Sequence, residues 1–413
     1  MTRKVLISAI GTGRKKRESN EFSREYDTAT YRFDDKEYTT SFVTRVIQEH
    51  LSIATVFYIG TVRSMWEEVY RQYAESSGEF DEHTWIHIAD AVNTCTWQSP
   101  LDAVDFSPIE KVLGNGGKII PVRYGITPEE NSENFNNIMR IAEYLQDGDR
   151  IYIDITHSFR SLAFNVLSVV MYARDVLQKD ITVSGIYYGM LDVAAELGFA
   201  PIVELDHTVA MFDWSKAAYA FSEYGNAYEI TRLINEQNSV LAGKLERFSD
   251  AMNMNNTAAV RDHIRQLNKC KKEGMFDALI GPAAYIVPKT VYAFLDRFSD
   301  ADTPALFQLK LAQWHIDHKH YGIAYILMLE SVITYLCEQQ GVAQDDKDAR
   351  EQMRAWLYKN QYKEEELFEI YKTINDVRIT IAHATEKRKD SCISDIQNLQ
   401  KRLDKLQKRY LQG

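Results

Sequence analysis

The stretch RIYIDITHSFRSLAFNVL, residues 150–167, holds the pattern that decides the fold. It opens on a short run rich in Ile and Tyr, as a buried strand does, and closes on an apolar helical pattern. Between them Thr156-His157-Ser158-Phe159-Arg160 forms a polar exit that passes at once into the helix. Strand, polar turn and helix in immediate succession are the repeating unit of an α/β sheet. Working outward, VLISAI (5–10), ATVFYIG (54–60), TWIHIAD (84–90), KIIPVRYG (118–125), ITVSGIYYG (181–189) and PIVEL (201–205) read as further strands. They alternate with helical patterns at residues 39–50, 62–74, 132–146 and 160–177. The alternation predicts a largely parallel, doubly wound, Rossmann-like domain over residues 1–206, whose ligands sit outside the carboxyl ends of the strands.

After Asp206 the strand signals vanish, and helix follows helix with breaks near Gly281-Pro282, Pro304 and Gly341. Residues 207–304 read as a helical linker region with long polar-faced helices, such as one over residues 217–244, and residues 305–413 as a compact bundle. The fold class is therefore α/β followed by all-α. A chain of 413 residues with 45% apolar and 12% aromatic content has the means to bury more than one core.

The formal net charge of -11 argues against a general nucleic-acid coat, since affinity for phosphate backbones comes from Lys and Arg. Any nucleic acid must be met locally. Lys387, Arg388, Lys389, Lys401, Arg402, Lys405, Lys408 and Arg409 form a basic C-terminal run, which suits either RNA contact or the solvated face of a last helix. The four cysteines lie far apart, which suggests neither a zinc site nor a disulfide framework. The apolar segment 5–10 is too short for a signal peptide, and no later run reads as a bilayer span, so a soluble cytoplasmic protein without membrane partners is expected.

Three strand exits carry polar side chains. The first strand runs into Gly11-Thr12-Gly13, where glycines expose amide donors and admit a ligand close to the backbone. The second ends in Gly60-Thr61-Val62-Arg63-Ser64. The exit at 156–160 offers the hydroxyls of Thr156 and Ser158, donors on His157 and Arg160, and the positive end of a new helix, a set suited to a phosphodiester. Each also reads as a plain tight turn or helix cap. Together they predict a nucleotide pocket built without a P-loop, a dinucleotide fingerprint or an acidic metal cage.

The segments ISAIGTG, YTTSFV, GTVRSMWEEVY and DITHSFR resemble the CARF sensor domain of type III CRISPR accessory nucleases, over roughly the first 200 residues. The resemblance implies a two-fold dimer whose paired strand-end loops enclose one cyclic oligoadenylate as allosteric activator. Cyclic tetra-adenylate is the preferred ring and cyclic hexa-adenylate the runner-up. No cofactor is expected. Some CARF domains also cleave their activator slowly, so the resemblance makes Thr12 or Thr156 a candidate for positioning a ribose hydroxyl in such a step.

Near the C-terminus stands NDVRITIAHA, residues 375–384, with the spacing Arg, four residues, His. Five helical positions advance about 500 degrees, so Arg378 and His383 lie roughly 140 degrees apart and flank a ridge. Two such ridges facing across a dimer axis would line one cleft. Imidazole moves protons near neutral pH and guanidinium holds a phosphate, which suits metal-independent attack of a ribose 2′-hydroxyl on its phosphorus. Asn375, one turn earlier, is placed to orient a phosphate oxygen or the ribose. With the segment WHIDHKHY (314–321) and the helix GIAYILMLESVITYLCE (322–338), the motif resembles the HEPN ribonuclease domain. That resemblance implies a homodimer, open to higher assembly, that cuts single-stranded RNA. Ile379 departs from it, because many members carry a polar residue directly after the motif arginine. His315, His318 and His320 lack a matching ligand set and read as a helix junction, while Trp97, Trp214 and Trp314 read as core or interface packing. The rival readings are a ligand sensor whose helical half is an inactive regulator, and an enzyme that destroys the cyclic nucleotide.

Overall fold

A computed structural model describes residues 2–15, 24–157, 159–383 and 392–412, with backbone alone at 14, 15, 24, 25, 206, 382, 383, 392 and 393. The chain divides into two compact units, Met1–Val209 and Ala210–Gly413.

In the first unit the strands are β1 (Lys4–Ile10), the short pair β2 (Arg14–Lys15) and β3 (Arg24–Glu25), β4 (Ala29–Phe33), β5 (Lys36–Thr40), β6 (Thr55–Thr61), β7 (Lys118–Val122), β8 (Arg150–Asp154), β9 (Thr182–Gly189) and β10 (Ala200–Glu204). Eight of them form one sheet in the order β5-β4-β10-β9-β8-β1-β6-β7. The run from β7 to β9 is parallel throughout, whereas β9/β10 and β4/β5 are antiparallel, so the sheet is mixed. The helices are α1 (Val43–His50), α2 (Trp66–Ser77), α3 (Glu82–Thr94), α4 (Ser107–Leu113), α5 (Pro128–Tyr144), α6 (Arg160–Asp175) and α7 (Ala194–Leu197).

The central strand β1 shows why the sheet is covered on both faces. Leu6 and Ile10 pack with Val46, Trp66 and Val69 of α1 and α2, while the alternate residues Val5 and Ile7 pack with Ile138, Ile141, Leu162 and Val166 of α5 and α6. A strand apolar at consecutive positions can be satisfied only between two layers.

The second unit is helical, with no strand among its described residues. It comprises α8 (Asp206–Tyr224), α9 (Tyr228–Ile234), α10 (Ser239–Asn253), α11 (Thr257–Lys272), α12 (Ala283–Asp296), α13 (Pro304–Asp317), α14 (Tyr321–Gln340), α15 (Lys347–Lys359), α16 (Glu365–His383) and α17 (Cys392–Gln412). One core runs through it, from Phe221, Phe248, Phe294 and Trp314 to Tyr325, Tyr371 and Leu403. The α/β-then-all-α class expected from the sequence is the class observed.

Four local expectations need correction. TWIHIAD is not a strand but part of α3, whose start is capped by Asp81 accepting from the Thr84 amide. Its alternation misleads because the buried positions are Ile88 and Val92, four apart, while Ile86 is exposed. The helix expected from residue 39 begins at Val43, because residues 36–40 form β5, half of a hairpin turned at Asp34 in the left-handed region (φ 50). The long helix expected over 217–244 is broken into α8, α9 and α10, and Gly225 takes the left-handed conformation (φ 66) that ends α8. Finally, α14 is long and apolar enough to cross a membrane, contrary to the expectation that no run is; most of its residues are buried in the helical core.

Candidate functional site

The parallel register places the exits of β8, β1 and β6 side by side. Ser8 lies opposite Asp154, and Ile10 opposite Gly60, so the three loops leave one edge together. Gly11, Thr12 and Gly13 from β1, Thr61 and Ser64 from β6 and His157 from β8 line a single cavity of about 360 Å³. The same cavity takes in Tyr26, Asp27, Tyr31, Phe159 and Leu191. Thr156 and Arg160 line a neighbouring, more apolar cavity of about 480 Å³, which shares only His157 and Phe159 with the first. Arg63 lines neither cavity, and Ser158 lies outside the described residues.

Several of these side chains hold the frame. The buried Ser64 hydroxyl donates to the Ile10 carbonyl at 2.8 Å and accepts the Thr61 amide at 2.9 Å, tying the β6 exit to β1. Trp66 Nε1 donates to the Thr61 carbonyl at 2.7 Å. Gly60 has no room for a side chain, since a Cβ there would stand 2.6 Å from Ile10 and 2.7 Å from Ser64 Oγ. Thr156 accepts the Gly189 amide through its hydroxyl at 2.9 Å.

Beneath the loops lies a buried polar knot the sequence reading did not isolate. Asp154 accepts from Ser8 Oγ at 2.8 Å, Thr44 Oγ1 at 2.9 Å and the Thr156 amide at 2.9 Å. The signal was present, for Ser8 and Asp154 are the polar residues inside otherwise apolar strands, and a buried polar group must find partners. Tyr26 had no such signal. Its hydroxyl accepts the Gly11 amide at 2.8 Å, and its ring stacks on His157 with centroids 4.1 Å apart and planes 6° apart.

Electrostatically, burial pushes the His157 imidazole below its ordinary range, only partly opposed by Asp154, which keeps it neutral at physiological pH. Its Nε2 is shielded from solvent and has no hydrogen-bond partner. Burial, with the charges of Asp154 and Asp27 behind it, pushes the Tyr31 hydroxyl up to about 12. The smaller cavity therefore offers neutral donors and backbone amides beside the Asp27 carboxylate, and the guanidinium of the neighbouring cavity is that of Arg160, exposed at the start of α6. No group of three or more metal-binding side chains is gathered among the described residues.

In the helical unit, Asn375 and Arg378 are half-buried on α16, and His383 ends that helix, its side chain outside the description. The Thr380 hydroxyl donates to the Asp376 carbonyl at 3.0 Å, a bond within the helix, and Ile379 is 40% exposed. His315 and His320 face each other at 3.4 Å between their Nδ1 atoms, and His318 Nδ1 lies 2.7 Å from the Trp314 carbonyl. Burial first, then the neighbouring charges of His320 and His318, pushes His315 down to about 3. These histidines pack around Trp314, which with Trp214 is buried as core packing requires, while Trp97 is exposed on the single chain, where the interface alternative of that reading is untested. In the C-terminal run, Arg409 pairs with Glu364 and Lys405 with Glu366.

With this geometry in place, residues 5–192 are found to match the family model for the CARF domain of CRISPR system endoribonuclease Csx1. Residues 210–303 match the second domain of CRISPR-associated protein MJ1674. The whole chain is a homologue of that protein from Methanocaldococcus jannaschii, 33% identical over 431 aligned residues covering 97% of this chain. The chain spans 66% of that relative's length. Among solved structures, Enterococcus italicus Csm6 bound to cyclic hexa-2'-fluoro-hexa-dAMP aligns over 99% of this chain and 94% of its own, at 10% identity and a TM-score of 0.33.

Proposed function

We propose that the chain is a CRISPR-associated endoribonuclease switched on by a cyclic oligoadenylate, preferably cyclic tetra-adenylate, with cyclic hexa-adenylate as the alternative ring. The observation that carries the sensing half is the cavity at which the β1, β6 and β8 exits meet, inside a domain matching the CARF family. The Thr12 and Gly13 amides and the Thr12 hydroxyl are the phosphate-facing groups of that reading, Gly11 gives the loop its close approach while its amide is held by Tyr26, and Arg160 adds positive charge from the neighbouring cavity. Thr61 and Ser64 serve it as frame, and Ser158 and Arg63 keep the ligand-facing roles expected from the sequence.

The cutting half rests on Arg378, His383 and Asn375 on α16. In this reading two chains bring their α16 helices into one cleft, Arg378 holds the scissile phosphate, and His383 moves the proton of the attacking 2′-hydroxyl. No metal is required. The protein works in the cytoplasm as a homodimer or an assembly of homodimers, with residues 207–304 linking the sensor to a HEPN domain at 305–413. Activation requires the ligand to bind one arrangement of the pair more tightly than the other.

A second reading is favoured by Ile379, which exposes an apolar side chain where the phosphate-side surface should be polar. There the helical half is an inactive regulator. One assay separates these readings, and also the ring-destroying enzyme: purified protein is incubated with labelled single-stranded RNA and each cyclic oligoadenylate under EDTA, and both polymers are followed. Ligand-dependent RNA fragments ending in cyclic 2′,3′-phosphate support the main reading. Intact RNA with bound ligand supports the regulator, and opened rings with intact RNA support the third.

A further inference from the structure

A third cavity, of about 480 Å³, lies within the helical unit, well apart in sequence from the residues assigned to RNA cutting. One wall is α11, which presents Thr257, Arg261 and Arg265 at four-residue intervals along one face. Another is apolar, built from Pro304 and Phe307 of α13 and Ile326 and Leu327 of α14. Two amide side chains, Asn255 and Gln308, also line it, and Asn255 Oδ1 and Gln308 Oε1 are both buried without any hydrogen-bond partner. Native folds rarely leave such atoms unmatched, because each costs about 1–3 kcal/mol.

Three carboxylates, Asp262, Glu330 and Asp345, line the cavity beside its three arginines. Arg265 pairs with Asp262 at 3.0 Å and Arg350 with Glu330 at 2.6 Å. Arg261 has one neutral partner, the Asp302 carbonyl at 2.9 Å, and burial together with Arg265 one turn away lowers its pKa. Arg265 and Arg350 are held by carboxylates, so Arg261, whose hydrogen-bond partner is neutral, is the guanidinium left to meet an anion. A flat apolar wall edged by unmatched acceptors favours a ring that is apolar on its face and donates from its edge.

We propose that this cavity binds a nucleoside monophosphate unit whose base carries an exocyclic amine, with the phosphate against Arg261 and the amine donating to Asn255 and Gln308. Adenine, cytosine and guanine carry such an amine, and uracil does not. The unit is either a free nucleotide or one residue of a single-stranded RNA. The site belongs to the helical half alone and does not rest on activator sensing.

The test is calorimetric titration of the full chain with CMP, AMP, UMP and inorganic phosphate, and in parallel with a 5′-phosphorylated cytidine trinucleotide. CMP and AMP, or the trinucleotide if the source is RNA, should bind about tenfold tighter than UMP and phosphate, the loss expected for an unmatched base edge. Arg261→Gln should weaken that binding about tenfold or more. Gln308→Leu should lower the preference for CMP over UMP without lowering the melting temperature of the unliganded protein, because it removes an atom that has no partner there. Arg160→Ala, which touches only the sheet-end pocket, should leave CMP binding unchanged, so failure of the sensor reading does not register here. Equal affinity for CMP and UMP, indifference to Arg261→Gln, or no binding of any probe at millimolar concentration overturns the proposal.

Discussion

Gly13 is the most constrained point of the first strand exit, and Gly13→Ala tests that directly. Its φ of 64° lies in the left-handed region, and a Cβ built there would stand 2.1 Å from Met65 Sδ, with Cγ at 3.1 Å and Cε at 3.3 Å. Two costs add. The backbone conformation costs an L-residue about 1–2 kcal/mol, and displacing Met65 adds roughly 1–2 kcal/mol, at the low end for overpacking because a methionine chain bends. Met65 does not yield freely, however, because it is fully buried and its amide donates to the Gly11 carbonyl at 3.0 Å. The sum, about 2–4 kcal/mol, is read by urea unfolding of the sheet unit followed by circular dichroism. The steric share is isolated in a Met65→Ala background, where Gly13→Ala should cost only the backbone share, a coupling of roughly 1–2 kcal/mol between the two positions. Equal cost in both backgrounds would refute the steric argument, and no cost in either would refute the conformational one.

Asp154→Ala should destabilise the sheet unit by about 3 kcal/mol or more, since two buried hydroxyls and a partly buried amide lose their acceptor; a loss below about 1 kcal/mol by the same unfolding assay would mean the knot is not what holds the β8 exit. His315 sits near 3 in the fold and near 6.5 when unfolded, so the unfolded chain takes up the proton first; stability is full above about pH 6.5 and should fall as pH drops from there toward 3. Urea midpoints of the helical unit at pH 7 and pH 5 should show that fall, and His315→Phe should reduce it; an unchanged pH slope in the variant would assign the effect elsewhere. Arg378→Ala or His383→Ala should abolish ligand-dependent RNA cleavage while the circular dichroism spectrum is kept, and undiminished cleavage by either would remove these residues from the proposed chemistry.

What the sequence disclosed depended on whether a signal was local. The strands β1, β6, β7, β8 and β9 stood out because two covering layers demand runs of consecutive apolar residues in them, and α14 stood out for the same reason in three dimensions. The meeting of Gly11, Thr61 and His157 was legible through topology, since parallel neighbours end at one edge. The hairpin of β4 and β5 was not, because its residues are mostly half-exposed and polar, and its pairing to β10 spans the length of the domain. TWIHIAD was misread because four residues of alternation outweighed a helix cap at Asp81. Within the site, that Ser64 and Thr156 are spent on backbone partners while Tyr26 occupies the Gly11 amide required tertiary contacts no spacing encodes.

The placement of β1 at the middle of the sheet governs how the chain can be made. Both of its hydrogen-bonding neighbours are encoded downstream, β6 some fifty residues on and β8 only at Arg150. At about 5–20 residues per second of synthesis, the segment KVLISAI waits roughly 7–30 s for its second partner. Through that interval it is a largely apolar strand with three β-branched residues, a single charge at Lys4 and an open edge, the kind of segment that associates with copies of itself. Yield in a heterologous host should therefore depend on chaperones that shield nascent chains, and slowing elongation should lower the soluble fraction more than lowering the final temperature of storage does.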